Sequence, residues 1–163
     1  MNENAKRLVE QLAAAGKTAA TAESCTGGLI AKLITDVPGS SDVFHMGAVT
    51  YSNDVKAKVL GVRRETLEKY GAVSEQTALE MAEGIRKAAG ADFGVSSTGI
   101  SGPWGDGVCN EPGLSFVAVS DGGNAVCRKI ETHSADREFN RDFTAETAIK
   151  LLVEFTADTE GGI

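Results

Sequence analysis

Apolar residues along the chain occur either at every third or fourth position or in short continuous runs. Repeats of the first kind predict amphipathic helices, and short runs rich in small and β-branched residues between turn residues predict strands. The segments with helical spacing are 5–15, 27–36, 53–60, 65–70, 75–89 and 135–157. The segments that are predicted as strands are 18–22, 44–52, 92–98, 114–120 and 125–132.

The order of these segments is typical of a layered α/β protein. Helices alternate with strands, and the last two strands are joined by "DGGN" at 121–124, which suits a hairpin turn because such turns need positive φ. The sequence therefore predicts a three-layer α/β/α sandwich around a mixed β-sheet. With 163 residues and no internal repeat or linker, one domain is expected over 1–163, with a frayed tail at 158–163.

Composition and charge narrow the classes of partner. The chain is 42% hydrophobic and 24% charged, and its net charge of -7 disfavours binding to nucleic acid or to anionic lipid. It has no apolar run that would span a bilayer and no secretion signal at its start, so a cytoplasmic location is expected. Three cysteines without a CxxC pair and two histidines favour neither a disulfide framework nor a metal site.

The first loop that could carry chemistry is "ESCTGG" at 23–28, between a predicted strand and a predicted helix. Ligands of α/β proteins bind where loops leave the carboxyl ends of strands. Ser24, Cys25 and Thr26 stand at a helix N-terminus, where N–H groups can stabilise a carboxylate, a phosphate or an oxyanion. The alternative is that these side chains only cap the helix, and spacing alone favours capping.

Lys56 lies about one turn into the helix that follows Tyr51 and Ser52, so its side chain can reach back over the strand end. A serine and a lysine can form a catalytic pair if the lysine is neutral and takes the hydroxyl proton. This requires burial or a nearby cation to lower the pKa of the lysine, which is about 10.4 in a free lysine. Spacing alone favours a solvated Lys56, since Lys56 and Lys58 lie on different helix faces.

The glycine-rich segment 99–113 allows close backbone approach to a ligand, and it is flanked or interrupted by the polar residues Thr98, Ser101 and Asp106. It matches no standard phosphate loop, and a surface loop is the alternative. Trp104 in this segment is suited either to stacking on a ring or to filling a surface gap.

Two arginines, Arg137 and Arg141, are spaced four apart on one face of the last helix. Two guanidinium groups at this spacing can clamp a phosphate. Surface ion pairs with Glu138 or Asp142 are the alternative, and they are the commoner outcome.

A cysteine nucleophile is a further hypothesis. Cys25 would need His45 or His133 as its base, and no spacing in the sequence favours that pairing over a buried, unreactive thiol.

Five ordered motifs together resemble one family. They are "TAESCTGGLIAKLITDVPGSSDVF", "GAVTYSNDVKAKVLGV", "GAVSEQTALEMAEG", "STGISGP" and "DREFNR". They closely resemble the C-terminal domain of the competence and damage-inducible protein CinA, a domain that also occurs alone as nicotinamide mononucleotide deamidase (PncC). The resemblance covers nearly the whole chain, and it implies a stand-alone domain of this kind.

The resemblance implies hydrolysis of the carboxamide of nicotinamide mononucleotide to nicotinic acid mononucleotide and ammonia, in NAD recycling, with no cofactor or metal and with a homo-oligomer as the assembly. It implies that Ser24 is the nucleophile and Lys56 its base, with Tyr51 beside them. The residues that are expected to bind substrate are Cys25, Thr26, Gly27, Gly28, Asn53, Thr98, Gly99, Ser101, Gly102, Arg137 and Arg141.

The glycine-rich loop departs from the family pattern. Family members usually continue it as "GPGGGTPEKPVG", whereas this chain has "GPWGDGVCNEPG", with Trp104 and Asp106 at glycine positions and Asn110 at the lysine position. A bulky indole and an added carboxylate would reduce the space and the attraction for a phosphate. Two alternatives therefore stay open: an amidase with another substrate, and a noncatalytic nucleotide-binding or regulatory relative.

Overall fold

Helices and strands alternate along the computed structural model, which describes residues 1–107 and 110–160. The helices are α1 (Glu3–Ala15), α2 (Leu29–Thr35), α3 (Asn53–Leu60), α4 (Arg64–Tyr70), α5 (Glu75–Ala89) and α6 (Arg137–Glu160). The strands are β1 (Ala19–Glu23), β2 (Phe44–Val49), β3 (Phe93–Gly99), β4 (Leu114–Ser120) and β5 (Ala125–Glu131). Each predicted helix and strand has its counterpart among these elements.

The strands form one mixed sheet in the order β2-β1-β3-β4-β5. β1 pairs in parallel with β2 and β3, while β4 pairs antiparallel with β3 and with β5. Helices α1, α2 and α6 pack together on one face of the sheet, and α3 and α4 pack on α5, which covers the other face. The predicted α/β sandwich around a mixed sheet is confirmed.

Apolar clusters fill the spaces between the layers on both faces of the sheet, and two of them are large. Because successive side chains of a strand point to opposite faces, Ala19 packs in one cluster and Ala20 in the other. The first cluster includes Leu8, Leu12, Ile30, Ile34, Val95 and Leu152. The second includes Leu60, Met81 and Ile85. This apolar packing on both faces holds the sheet, and with it the loops at its edges, in a fixed geometry.

The parallel arrangement of β2, β1 and β3 decides where a site can form. The carboxyl ends of parallel strands lie at the same edge of a sheet. These strands end at Val49, Glu23 and Gly99, so the loops that follow them meet at one edge. Those loops carry the segments in which the sequence predicted chemistry.

Small differences from the sequence prediction occur at the element ends. β2 ends at Val49 rather than at residue 52, and α2 begins at Leu29 rather than at residue 27, because Gly27 and Gly28 both have positive φ. A short 3₁₀ helix at Ser40–Asp42 was not predicted.

The frayed tail expected at 158–163 stays a prediction. α6 continues to Glu160 because no helix breaker precedes the glycine pair at 161–162, and residues 161–163 lie outside the described part of the chain.

No helix among the described residues is both long enough and apolar enough to cross a membrane.

Gly84 sets the distance between α5 and the end of α3. A Cβ at this position would clash with the carbonyl oxygen of Leu60, the last residue of α3. We expect Gly84→Ala to lower the free energy of unfolding by about 1–3 kcal/mol through overpacking, although alanine favours helix by about 1 kcal/mol over glycine. Urea unfolding measures the change. Gly123→Ala is the control, because the nearest atom to its Cβ is 3.6 Å away; equal stabilities of the two variants would contradict this role for Gly84.

Candidate active site

Ser24 is the first residue after β1, on the bend where the chain leaves the sheet. Its N–H donates to the carbonyl of Ser97 on β3 at 3.0 Å, so the bend is still anchored to the neighbouring strand. The side chain is buried, and its hydroxyl faces the amine of Lys56. The parallel pairing of β1 with β2 brings the two residues together although they are 32 positions apart.

Lys56 reaches this edge of the sheet from α3. Ser52 caps the helix by accepting from the N–H of Val55 at 3.3 Å, which fixes the first turn of α3 beside the end of β2. The Nζ of Lys56 lies 3.1 Å from Ser24 Oγ and 3.2 Å from the carbonyl oxygen of Tyr51, as donor to both. The residue is only 1% exposed, so the solvated Lys56 that spacing favoured is wrong.

Burial lowers the pKa of Lys56 from its ordinary value of 10.5, because the interior disfavours the charged ammonium. Within the described part of the chain, no carboxylate forms an ion pair with this amine to offset the effect. A lysine in this position can present a neutral amine at lower pH than a surface lysine. Such an amine can take the proton of the serine hydroxyl that it faces.

Glu23 was missed by the sequence analysis, and it organises the bend. Its buried carboxylate accepts from the hydroxyl of Thr26 at 2.6 Å and from the N–H groups of Gly28, Ile30 and Ala31 at 3.0, 3.0 and 2.8 Å. A carboxylate is favoured at a helix N-terminus because it satisfies free donors and the helix dipole. The acidic residue directly before "SCTGG" was the available signal.

The capping role that spacing favoured for Ser24 and Thr26 is therefore wrong. Gly28 occupies the N-cap position of α2, and no side chain of its own caps the helix. The N–H of Gly27 donates to the carbonyl of Ser24 at 3.1 Å. Among the described residues, no oxygen accepts from the N–H of Cys25, which makes this group a candidate donor to an oxyanion. Thr26 is fully buried, so its N–H has no access to a ligand.

Arg137 joins two parts of the site. Its Nη1 donates to the carbonyl of Gly102 at 2.9 Å, and its Nη2 donates to the hydroxyl of Tyr51 at 3.1 Å. Tyr51 is 58% exposed, and its carbonyl also accepts from Lys56. The guanidinium therefore ties the glycine-rich loop to the residue that contacts the lysine amine.

Arg141 bonds to the Ser24 bend itself. Its Nε donates to the carbonyl of Cys25 at 3.2 Å, and its Nη2 donates to the carbonyl of Thr26 at 3.1 Å. Within the described chain, neither Arg137 nor Arg141 pairs with Glu138 or Asp142, so the alternative of surface ion pairs is wrong.

The third strand end contributes buried polar groups. The Thr98 hydroxyl donates to the carbonyl of Ala72 at 2.7 Å, which commits its proton to the protein. Ser101 is buried, and its carbonyl accepts from the Nδ2 of Asn140 at 2.8 Å. Asn140, which the sequence analysis missed, thus fixes the start of the glycine-rich loop.

The loop beyond Gly102 carries the residues that depart from the family pattern. Trp104 is 82% exposed, so its indole does not fill a gap in the surface. Asp106 accepts from the N–H of Asn110 at 3.1 Å and from its side-chain amide at 2.6 Å. The hydrogen bonds between Asp106 and Asn110 therefore join two parts of the loop. The expected contact residue Asn53 is exposed at the first position of α3, and Gly99 ends β3.

Cys25 and Cys127 are not suited to nucleophilic chemistry. Burial raises the pKa of the Cys25 thiol to about 12, so the thiol stays protonated at neutral pH. Burial also raises the pKa of Cys127 to about 12. Cys109 lies outside the described residues. His45 and His133 are exposed, and neither bonds to Cys25 in the described chain.

Comparison with known proteins identifies relatives of this chain. The family model described as CinA C-terminal domain matches residues 1–156. A CinA-like protein of Desulforapulum autotrophicum is 43% identical over 152 residues, which cover 93% of this chain and 35% of that protein. A CinA-like protein of Chloroherpeton thalassium is 46% identical over 152 residues, which cover 91% of this chain and 36% of that protein. The chain thus spans about a third of the length of these relatives.

Solved structures match along the full fold. The competence/damage inducible protein CihA of Agrobacterium tumefaciens is 41% identical, with a TM-score of 0.90 and coverage of 93% of both chains. A CinA superfamily protein of Klebsiella pneumoniae is 32% identical, with a TM-score of 0.92 and coverage of 97% of this chain and 99% of that chain.

The lowered pKa of Lys56 makes stability depend on pH. Between the folded pKa and 10.5 the unfolded chain binds more protons than the folded protein, so stability rises with pH in that window and levels off above it. We expect the free energy of unfolding of the wild type, minus that of Lys56→Met, to increase toward pH 10 by at most about 1.4 kcal/mol per pH unit. Urea titrations at several pH values measure this difference.

The matched control is Lys58→Met, which removes an exposed lysine from the same helix. Because Lys58 is exposed, we expect the free-energy difference between this variant and the wild type to change less with pH than the difference for Lys56→Met. A flat difference for Lys56→Met would contradict the burial argument.

Proposed function

Because the chain belongs to the CinA C-terminal domain family, we propose that it hydrolyses the carboxamide of nicotinamide mononucleotide through Ser24 and Lys56. The observation that carries the proposal is the 3.1 Å approach of the Lys56 amine to the Ser24 hydroxyl in a buried setting that lowers the pKa of the lysine. Nicotinic acid mononucleotide and ammonia are the products.

In the first half of the reaction, neutral Lys56 takes the proton of Ser24, and the serine oxygen attacks the amide carbon. The N–H of Cys25 donates to the oxyanion that forms. Protonated Lys56 then gives its proton to the departing nitrogen, which leaves as ammonia, and an ester to Ser24 remains.

In the second half, Lys56 takes a proton from a water molecule, and the resulting hydroxide attacks the ester. The tetrahedral intermediate collapses, the bond to Ser24 breaks, and Lys56 returns the proton to the serine oxygen. The product is a carboxylate, and the enzyme is restored without a cofactor.

In this proposal, the ribose phosphate part of the mononucleotide binds at the exposed side of the site. Arg137 is exposed and carries N–H groups beyond the two that bond to Gly102 and Tyr51, so it can receive the phosphate. Asn53 and the glycine-rich loop from Gly99 border the same edge of the sheet. The phenol of Tyr51 contributes an aromatic surface there.

A noncatalytic nucleotide-binding protein is the second candidate. It is favoured by the exposed indole of Trp104 and by the carboxylate of Asp106, both at positions where relatives of the resembled family usually have glycine. Binding of the mononucleotide in calorimetry without ammonia release would favour this candidate over the amidase.

The serine and lysine are tested by ammonia release from nicotinamide mononucleotide. We expect Ser24→Ala and Lys56→Ala each to lower kcat by about a thousandfold or more, because the two groups act as a unit. Lys58→Ala is the control on the helix of Lys56, and it should keep the turnover of the wild type since Lys58 is exposed. Equal turnover in the wild type and in both dyad variants would reject the proposal.

The altered loop is tested by affinity. We expect Trp104→Gly combined with Asp106→Gly to bind nicotinamide mononucleotide more tightly, because the double variant removes a bulky ring and a negative charge beside the phosphate. Calorimetry in a Ser24→Ala background measures binding without turnover, and each single variant serves as a control. An unchanged or weaker affinity of the double variant would contradict this explanation.

A further inference from the structure

Arg141 makes an unusual set of contacts for a residue of the last helix. Its guanidinium crosses from α6 to the bend after β1, and it donates to two successive carbonyl oxygens, those of Cys25 and Thr26, at 3.2 and 3.1 Å. These carbonyls belong to the two peptide groups that follow the Ser24–Cys25 peptide. Arg141 therefore grips the bend without contacting the serine side chain.

The bend is shaped to admit this guanidinium. Gly27 has a φ of +58°, and a Cβ at that position would lie 3.3 Å from the Nη2 of Arg141. Any larger side chain would press on the arginine. The glycine thus serves the approach of Arg141 in addition to the left-handed turn.

The charge of Arg141 is directed at these peptides. Among the described residues, no carboxylate forms an ion pair with its guanidinium. The N-terminal N–H groups of α2 donate to Glu23 instead, so the helix end cannot supply them to an oxyanion. Among the described residues of the bend, the N–H of Cys25 remains as a donor, and it lies on the peptide directly before the first carbonyl that Arg141 holds.

We propose that Arg141 is a positioning residue that holds the bend after β1, and with it the Ser24 hydroxyl and the Cys25 N–H, in place for amide hydrolysis. Peptide groups are planar, so fixing the carbonyls of Cys25 and Thr26 leaves the bend few free rotations. Hydrogen bonds from a charged donor are stronger than those from a neutral donor, which makes a guanidinium suited to this role. The inference rests on the proposed amidase function.

The competing role for Arg141 is a phosphate clamp together with Arg137. The two roles differ in kinetics. A positioning residue acts in the transition state and changes kcat, whereas a clamp changes KM and acts only on substrates with a phosphate.

The experiment compares Arg141→Ala and Arg141→Gln with the wild type on nicotinamide mononucleotide and on nicotinamide riboside, which lacks the phosphate. We expect Arg141→Ala to lower kcat on both substrates by about 10- to 100-fold, less than the direct loss of an oxyanion donor, with little change in KM. The kcat of Arg141→Gln should lie between those of the wild type and Arg141→Ala, because the glutamine amide can still donate to one carbonyl. The control Lys150→Gln, an exposed residue of the same helix, should match the wild type.

A loss confined to KM for the mononucleotide, or an unchanged kcat, would overturn the positioning role. Circular dichroism checks folding, and Arg141→Gln decides the matter if Arg141→Ala loses its native spectrum. If both variants lose it, Arg141 is a folding determinant and the proposal is rejected.

A fluorophosphonate that labels Ser24, followed by intact mass, separates this inference from the proposed function. If the wild type labels but releases no ammonia, the substrate assignment fails, and slower labelling of Arg141→Ala still supports the positioning role. Equal labelling rates would reject that role alone. If the wild type neither labels nor turns over, both proposals fail.

Discussion

The contact between a buried lysine amine and a serine hydroxyl is the interaction on which this account depends. Lys56 has almost no access to water, and its amine is held between Ser24 Oγ and the carbonyl of Tyr51. A charged ammonium in such a place is costly, so the surroundings favour the neutral form. That preference converts an ordinary side chain into a base. The helix that carries Lys56, α3, is itself packed closely against α5, where Gly84 meets Leu60.

Two opposite charges organise the bend on either side of the serine. Glu23 lies beneath it and occupies the helix donors, while Arg141 lies across it and holds the carbonyls. Each charge is bonded mainly to backbone groups, and neither forms an ion pair within the described residues. The bend is thereby fixed in one conformation, as preorganised stabilisation of a transition state requires.

Much of this was available from the sequence. Glycines at the helix ends and regular apolar spacing predicted the elements, and parallel strands brought the loops of Ser24, Tyr51 and Thr98 to one edge. The burial of Lys56 could not be predicted, because it depends on which helix packs against α3. The hydrogen-bond partners of Glu23 and Arg141 could not be predicted either. They are mainly backbone groups, which every residue type carries, so the sequence does not reveal them.

The most direct test of the central claim is the pKa of Lys56 itself. A pH titration of the ¹³Cε resonance in lysine-labelled protein, assigned with Lys56→Met, reports the protonation of this amine in the folded state. We expect a titration midpoint below the ordinary value of 10.5 for Lys56, because burial disfavours its charged form. A midpoint at or above 10.5 for Lys56 would contradict the account.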